Sequence, residues 1–295
     1  MASGEIRLEG AVAWLVGERG RGFKHMADMI NNSRLSNGMR AAGLMRRAVT
    51  EAVYVSQNRR AFGKRLIDMP LMQRQLVKMT VWAEQARSVM FQTARALADA
   101  DHGTADPALA RILTPLIKFR ACRDARKVTG DAMEVRGGCG YIEEWTEPRL
   151  VRDAHLGSIW EGTSNIVALD VLRAIKKENS LPALRDHIDR LLADGAPCPP
   201  ALAEAQAHAL EQTFTLAEHA AQGDHAELAR QAASLLYHAV SMAALRWEAT
   251  SAGLESRAQL ADQVLLHRLA PRDPYAIPPL SLIHISEPTR QAEIS

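Results

Sequence analysis

A glutamate beside a tryptophan is the first side chain whose surroundings could give it chemistry. Glu161 follows Trp160, and Thr163 and Ser164 are N-cap candidates for a helix that starts just beyond them. A carboxyl group packed against apolar surface is a stronger base than one in water, because burial disfavours its charged form. The alternative is a solvated glutamate near a helix N-terminus, where the helix dipole favours negative charge.

A glycine-rich segment is the second candidate. Gly137, Gly138 and Gly140 surround Cys139 directly after a predicted helix. Because glycine has no side chain, the backbone amides of such a segment can approach a phosphate group or a planar ring closely. The alternative is an ordinary helix stop followed by a tight turn.

A basic segment with one aromatic residue is the third candidate. Within residues 58–64, Arg59 and two further cations surround Phe62. Arginine can bind a phosphate through two parallel hydrogen bonds, and phenylalanine can cover a flat ring. The alternative is the basic last turn of a helix that stops at Gly63.

Cysteine and histidine give no sign of a disulfide framework or a metal site. The three cysteines are far apart, and the ten histidines include no His-Glu-x-x-His pair. We therefore expect no metal ion. Cys139 is expected to be a loop or small core residue, since nothing near it resembles an activating base.

The elements that must position these residues are predicted to be helices. Hydrophobic residues make up 47% of the chain, charged residues 24% and aromatic residues only 5%, which is typical of a helix-rich globular protein. The fold class is therefore expected to be all-α. Apolar spacing predicts an antiparallel four-helix bundle whose members run from Phe23 to about Gln57, from Pro70 to about Ala100, from Pro107 to about Val135 and from Ile166 to Lys177.

Four segments are predicted along the chain. Residues 1–20, in which residues 5–16 alternate loosely between apolar and polar, are expected to form a β-hairpin that is the remnant of a sheet domain. Residues 21–180 are the bundle and residues 181–279 a helical extension. Residues 280–295 follow no periodicity, look like translated adapter sequence and are expected to be disordered.

Charge is distributed unevenly between these segments. Residues 1–180 hold 28 Lys and Arg against 20 Asp and Glu, whereas residues 181–280 hold 7 against 12. The first part is therefore expected to hold an anionic ligand such as a phosphate-bearing cofactor. The net negative charge of the second part gives no support for nucleic-acid binding.

Hydropathy gives no indication of a membrane protein. No apolar run approaches the roughly 18 residues that a spanning helix needs. The first residues also lack the basic and apolar regions of a signal peptide. We therefore expect a cytoplasmic protein without membrane contact.

Taken together and in this order, the three clusters resemble the C-terminal domain of acyl-CoA dehydrogenases. The resemblance spans about residues 10–179 and includes Gly22-Phe23 at the start of the first helix. Its motifs are Arg59-x-x-Phe62-Gly63, Gly137-Gly138-Cys139-Gly140-Tyr141, Pro148-Arg149-Leu150-Val151-Arg152-Asp153-Ala154 and Trp160-Glu161-Gly162-Thr163-Ser164-Asn165-Ile166. Glu134, Pro70 and the helical extension are more similar to the adaptive-response, AidB-like branch of the family.

The resemblance implies FAD-dependent dehydrogenation of an acyl-CoA thioester to the trans-2-enoyl-CoA, a step of fatty acid metabolism, with a separate electron acceptor. Glu161 matches the base that removes the α-proton, and its backbone N–H matches a donor to the thioester oxygen. Arg34 matches an arginine near the acyl-CoA site. The residues that match cofactor contacts are Arg59, Phe62, Gln73, Gly137, Gly138, Thr163 and Asn165.

Two departures from the family pattern bear on these implications. The family's N-terminal helical domain and nearly all of its middle sheet domain have no counterpart here, so we expect the chain alone to bind FAD weakly or not at all, and to be inactive alone. Glu134 and Pro70 stand where many members have glutamine, and Gln73 is expected to replace the second one. Because Arg59 matches a residue that reaches the FAD of a neighbouring subunit, a homotetramer or dimer is implied.

Two alternatives to an enzyme stay open. One is a DNA-associated flavoprotein of the alkylation response with vestigial dehydrogenase activity, since Arg173 falls where the AidB-like branch has a basic residue implicated in DNA binding. The negative charge of the extension argues against it. The other is a non-catalytic helical module that only oligomerises.

Overall fold

A computed structural model describes residues 4–223 and 225–271 of the chain. Its three longest helices are α1 (Gly22–Asn58), α2 (Pro70–Asp101) and α3 (Pro107–Arg136). Both α2 and α3 begin with proline, whose fixed φ suits the first helical turn. Asp106 caps α3, because its Oδ1 accepts the Ala108 N–H at 2.8 Å. The predicted limits of these three helices are confirmed to within two residues.

The connection from α1 to α2 is a small β-hairpin rather than a basic helix turn. Strands β1 (Arg60–Ala61) and β2 (Lys64–Arg65) pair antiparallel, with Arg60 opposite Arg65. A 3-10 turn at Leu66–Asp68 then leads into α2. The β1–β2 hairpin is the only sheet among the described residues.

The predicted β-hairpin at residues 5–16 is wrong. The described residues before α1 form no strand, and Ile6, Val12, Trp14 and Val16 are almost fully exposed. A pair of strands is not stable in water without a surface to bury its apolar face, and nothing in the described chain covers this segment. The predicted tail of residues 280–295 lies outside the described residues.

Shorter helices complete the chain. A 3-10 turn over Gly137–Tyr141 follows α3. The remaining helices are α4 (Glu147–Gly157), α5 (Ser164–Glu178), α6 (Ser180–Ala193), α7 (Pro200–Ala221), α8 (Ala229–Ala252) and α9 (Glu255–Val264), the last continued by a π turn over Leu265–Leu269. The all-α fold class and the helical extension are therefore confirmed.

The bundle and the first helices after it share one hydrophobic core. Helices α1, α2 and α3 pack against one another, and α5 packs against α3 as the fourth member. Short connections between long helices make neighbours antiparallel. The long α8 packs against α2, α3, α5 and α6. Fully buried side chains run through this core without a break, among them Met45, Leu76, Ile117, Val171 and Leu236.

The closest approach of α1 to α3 positions the functional residues discussed below. A β-carbon on Gly38 would lie 2.7 Å from Cγ1 of Ile117, so only glycine fits at this crossing without displacing a neighbour. Arg34 lies one turn before Gly38, and Lys118 directly follows Ile117. Helix α3 also packs against α4 and α5, and Lys118 reaches the turn between them.

Candidate functional site

Glu161 lies in the turn that joins α4 to α5. Its φ is +56° and that of Gly162 is +97°, so two consecutive residues adopt the left-handed region. For a glutamate such a conformation costs roughly 1–3 kcal/mol and persists only where surrounding contacts impose it. The Glu161 side chain is half-buried. We define residues 158–163 as the Glu161 turn.

Lys118 of α3 lies beneath the Glu161 turn. Only 1% of this lysine is exposed, and its Nζ donates a hydrogen bond to the carbonyl oxygen of Gly162. Burial lowers the pKa of Lys118, and nearby Arg34 adds to this effect, while Cys122 and Glu161 oppose it. The turn therefore rests on a buried ammonium group that interacts electrostatically with Glu161.

Helices α1 and α4 hold the other side of the Glu161 turn. The guanidinium of Arg40 lies over the ring of Trp160, 5.5 Å from its centroid. A β-carbon on Gly157, at the end of α4, would lie 3.1 Å from Sγ of Cys122. Burial raises the pKa of the Cys122 thiol to about 11, so this cysteine stays a neutral packing residue.

Arg34 is paired with a carboxylate of α5. Its Nη1 lies 2.5 Å from Oδ2 of Asp170, and Arg111 of α3 binds the same carboxylate through two hydrogen bonds of 2.8 and 3.1 Å. Burial opposes ionisation of Asp170, but its hydrogen bonds and the charges of both arginines hold its pKa below the usual value. The Nε of Arg34 is buried without a hydrogen-bond partner among the described residues.

Arg59 and Gly137 form the centre of a second cluster. Gly137 ends α3 with φ +76° and ψ −151°, a combination that only glycine adopts readily. Nη1 of Arg59 donates to the carbonyl oxygen of Arg136 at 2.6 Å. The structure therefore brings together two residues that the sequence predicts to bind the same cofactor.

Arg136 anchors this second cluster to the bundle. It donates to Glu147 of α4 and, at 2.8 Å, to Glu51 of α1. Its guanidinium also lies 4.6 Å from the ring centroid of Trp145. Glu147 is almost completely buried. Since Arg136 presents the carbonyl that Arg59 binds, these buried charges fix the place of Arg59.

Phe62 extends from this cluster into solvent. It and Gly63 are the two central residues of the β1–β2 hairpin, and both have positive φ, as the type I′ turn requires. Phe62 is 97% exposed. A large apolar side chain that is both strained and exposed indicates a surface that receives a partner or ligand.

The remaining predicted site residues are placed as follows. Gly138 is exposed, and no atom lies within 4 Å of the position that its β-carbon would take. Thr163 is the N-cap residue of α5 but makes no side-chain capping bond, and Asn165 is exposed in the first turn of that helix. Gln73 is half-buried in the first turn of α2.

The two clusters, one at the Glu161 turn with Lys118 and the other around Arg59 and Gly137, lie far apart within one chain. Lys118 and Arg136 are eighteen residues apart on α3, which corresponds to about 27 Å along a helix. Glu161 and Arg59 therefore cannot both contact one small ring within this chain. They can contact opposite ends of an extended ligand, or two ligand molecules at two subunits.

Sequence reasoning missed the residues that hold both clusters. These are Lys118, Asp170, Arg111, Arg136, Glu147 and Glu51. One signal was available for Lys118, since a single charge interrupts the apolar run from Ile112 to Phe119. A lone lysine on the buried face of a helix needs a polar partner.

Two kinds of site are not seen in the described part of the chain. No group of three or more His, Cys, Asp and Glu side chains is placed to hold a metal ion there. None of the helices described is both long enough and apolar enough to cross a membrane.

Comparison with known proteins identifies the family. The model of the "Acyl-CoA dehydrogenase, C-terminal domain" family matches residues 20–176. The chain is 38% identical over 177 residues to the putative acyl-CoA dehydrogenase AidB of Escherichia coli. The aligned region covers 60% of this chain and 32% of that protein.

Two solved structures share the fold. The crystal structure of Caenorhabditis elegans ACDH-11 in complex with C11-CoA matches with a TM-score of 0.78 and 29% identity, covering 86% of this chain and 45% of that one. An acyl-CoA dehydrogenase from Bacillus anthracis complexed with FAD matches with a TM-score of 0.70 over 85% and 48% of the two chains, and at 20% identity this shows the fold alone.

The matched region contains both clusters. Residues 20–176 include Arg34, Arg59 with the β1–β2 hairpin, the 3-10 turn that begins at Gly137, and the Glu161 turn. The chain spans about a third of the length of the E. coli relative. On the extent of the family match, this chain belongs to the acyl-CoA dehydrogenase family, of which it contains the C-terminal helical domain.

Proposed function

We propose that the chain supplies the catalytic base and part of the cofactor site of an FAD-dependent acyl-CoA dehydrogenase. The observation that carries this proposal is the Glu161 turn. Glu161 is half-buried and has a strained backbone conformation, and the buried Lys118 binds the carbonyl oxygen of the next residue, Gly162. All three residues lie within the region that matches the family. Strained residues that their surroundings impose are concentrated at functional sites.

The residues of the second cluster fit the phosphate and ring parts of FAD. Gly138 leaves open space for a close approach, Arg59 presents a guanidinium beside it, and Phe62 presents an uncovered ring. Arg59, Phe62, Gly137 and Gly138 would hold the cofactor at this end. When bound, FAD accepts the hydrogen and the two electrons that leave the β-carbon, and a separate acceptor then takes the electrons.

Glu161 acts on the other hydrogen of the reaction. Its carboxylate takes the α-proton of the acyl-CoA thioester, so the double bond forms between the α- and β-carbons. The backbone N–H of Glu161 donates to the thioester oxygen and stabilises the negative charge that develops there. Half-burial of Glu161 keeps water from competing for the proton. The product is the trans-2-enoyl-CoA.

The separation of the two clusters favours an oligomer. A cofactor bound near Glu161 in one subunit receives Arg59 and Phe62 from the next, because Arg59 is bound to Arg136, which lies about 27 Å from Lys118 along α3. We propose a homodimer or homotetramer, which light scattering during gel filtration measures directly.

The test of the proposed function is the loss of flavin bleaching in Glu161→Gln. Residues 20–271 are fused after the N-terminal domains of the E. coli relative, and flavin absorbance is followed during anaerobic titration with acyl-CoA. The unaltered fusion and a Glu204→Gln control, exposed on α7, are expected to bleach. Glu161→Gln should retain the flavin spectrum without bleaching; bleaching equal to that of the control would remove Glu161 as the base.

DNA association is a second candidate function. Arg173, Lys176 and Lys177 are all exposed on one face of α5. Three phosphate contacts predict that duplex affinity falls roughly 40-fold between 50 and 200 mM salt. Arg173→Ala should flatten this dependence, while Lys64→Ala on the distant hairpin should not. Absence of salt-sensitive binding would exclude the candidate.

A further inference from the structure

The hydrogen bond between Lys118 and Gly162 connects a rigid helix to the residue that follows the proposed base. Lys118 belongs to the middle of α3, in the bundle core, and its ammonium group reaches the carbonyl oxygen of Gly162. The peptide group that carries this oxygen is part of the Glu161 turn. A change in its orientation would rotate the backbone on which the Glu161 side chain is mounted.

Packing alone does not explain a lysine at position 118. Its neighbours at helical spacing are Thr114, Ala121 and Cys122, all buried, so an apolar side chain would suit the position. Burying an ammonium group is unfavourable unless it is paired and hydrogen-bonded. The titratable groups that face it are Arg34 from α1, Glu161 from the turn and the neutral thiol of Cys122 from its own helix.

The conformation of the Glu161 turn needs such a support. Glu161 and Gly162 both have positive φ, and a β-carbon on Gly162 would lie 3.3 Å from Cγ2 of both Ile166 and Val167. The side chain of Thr163, at the N-cap position, makes no capping hydrogen bond to the amides of α5. Arg126 of α3 reaches only the first residue of the turn, Ser158, at 3.5 Å, so the polar side-chain contact from α3 to the strained residues is that of Lys118.

We infer that Lys118 is the positioning residue of Glu161. Its ammonium group fixes the orientation of the Gly162 carbonyl through a hydrogen bond, and this holds the Glu161 carboxylate in the orientation in which it removes the proton. Lys118 does not touch substrate in this role and acts through the turn. That Glu161 is the base rests on the proposed function, whereas the locking of the turn does not. The two statements can therefore fail separately.

The first experiment measures the turn in the purified chain, without cofactor. Backbone hydrogen–deuterium exchange of residues 158–163 is compared in Lys118→Met, Lys118→Arg and the unaltered chain. Lys118→Met keeps the length of the side chain but removes donor and charge, so exchange should rise about tenfold or more. Lys118→Arg keeps both and should restore protection. Equal protection in Lys118→Met and the unaltered chain would overturn the inference.

A matched control lies on the same helix. Lys127 is also in α3, but its side chain is 56% exposed and pairs with Asp131 one turn away. Lys127→Met should leave exchange of the Glu161 turn unchanged. If Lys127→Met raises exchange as much as Lys118→Met does, the effect belongs to α3 as a whole and the inference fails.

A second measurement observes the ammonium group directly in the unaltered chain, with a variant used only to assign the signal. An ammonium group that is buried and hydrogen-bonded exchanges its protons with water slowly enough to give a lysine ¹H–¹⁵N correlation at neutral pH. The unaltered chain should show such a signal, and Lys118→Gln should lack it. Absence of any slowly exchanging lysine signal in the unaltered chain would overturn the inference by itself.

Kinetics of the flavin-loaded fusion separate positioning from binding. Lys118→Met is expected to lower kcat about tenfold with KM changed by less than about twofold, because the lysine does not contact substrate. A loss confined to KM would contradict a positioning role. If exchange changes as expected but Glu161→Gln bleaches normally, the proposed function fails while the locking of the turn stands.

Discussion

Arg59 and Gly137 lie so close that a β-carbon on Gly137 would stand 3.0 Å from Nη1 of the arginine. The two residues are far apart in sequence, and Arg136 brings them together by presenting its carbonyl oxygen to Arg59. The glycine is therefore needed for two separate reasons. Its backbone conformation excludes side chains, and the guanidinium occupies the space that a side chain would take.

Gly137→Ala is predicted to destabilise the chain by roughly 1–3 kcal/mol, because alanine must adopt a strained conformation and displace Arg59. Gly138→Ala is the matched control, since nothing lies within 4 Å of its added β-carbon. It should change the free energy of unfolding by less than about 0.5 kcal/mol. Urea denaturation measures both, and equal effects would contradict the prediction.

Phe62 is predicted to lower the stability of the chain while it contributes to FAD binding. Asparagine followed by glycine is preferred in type I′ turns, so Phe62→Asn should relieve strain and stabilise the chain by about 0.5–1 kcal/mol. The same change removes the exposed ring and should weaken FAD retention in the fusion. Phe62→Tyr keeps the ring and should alter neither property. FAD retention by Phe62→Asn equal to that of the unaltered protein would exclude the ring as a cofactor contact.

Asp170 is predicted to be essential for packing of α5. Asp170→Asn leaves Arg34 without a carboxylate in a largely buried site and leaves Arg111 paired only with the more exposed Glu178, which should cost roughly 3 kcal/mol. Asp153→Asn is the control, because the Arg149 that pairs with Asp153 is exposed, and it should cost less than about 1 kcal/mol. Thermal unfolding compares the two variants, and a similar loss in both would show that burial of the pair is unimportant.

His187 is predicted to make the chain sensitive to acid. Burial, aided by the charge of Arg190, lowers the pKa of His187 from 6.5 to about 4 in the folded chain. Between these values the unfolded chain binds a proton that the folded chain does not, so stability falls as pH falls from about 6.5 to about 4. The loss amounts to at most roughly 3 kcal/mol. Buried His238, whose pKa is also lowered, acts in the same direction.

Urea denaturation at several pH values tests this sensitivity. His187→Leu should flatten the decline of stability between pH 6.5 and about 4 without abolishing it. His208→Gln, at an exposed position on α7, should leave the decline unchanged. A decline as steep in His187→Leu as in the unaltered chain would show that His187 does not titrate as expected.

The helices could be predicted because their signals are local. Apolar spacing, the Pro70 and Pro107 starts and the Asp106 cap are properties of neighbouring residues, and α1, α2 and α3 follow them. Residues 5–16 show the limit of the same reasoning. Their alternation is typical of a strand, but a strand needs a partner, and alternation does not show whether one exists.

The candidate site could be predicted only in part. The residues that carry a motif, such as Glu161 and Arg59, are recognisable in the sequence. Lys118 is not, because its partner is a backbone carbonyl, which has no sequence signature and lies 44 residues further along the chain. The hairpin at Phe62 could not be predicted either, because a non-glycine residue with positive φ is uncommon and phenylalanine does not indicate a type I′ turn.

Cys139 offers a test of the cofactor site in the fusion, because the chain alone is expected to bind FAD weakly or not at all. It lies exposed in the 3-10 turn directly after Gly137 and Gly138, whereas Cys122 is buried with its pKa raised to about 11. Maleimide should therefore modify Cys139 first and Cys122 only on unfolding.

If the glycine turn receives the ADP part of FAD, saturating FAD should slow labelling of Cys139 several-fold, and ADP should act similarly. Cys198, half-buried before α7, is the internal control, and its labelling should not respond to either ligand. Slowing of both cysteines alike would indicate general stabilisation of the fold. No slowing of Cys139 at FAD concentrations that load the fusion would place the cofactor elsewhere, because a ligand seated on Gly138 cannot leave the adjacent thiol equally open to reagent.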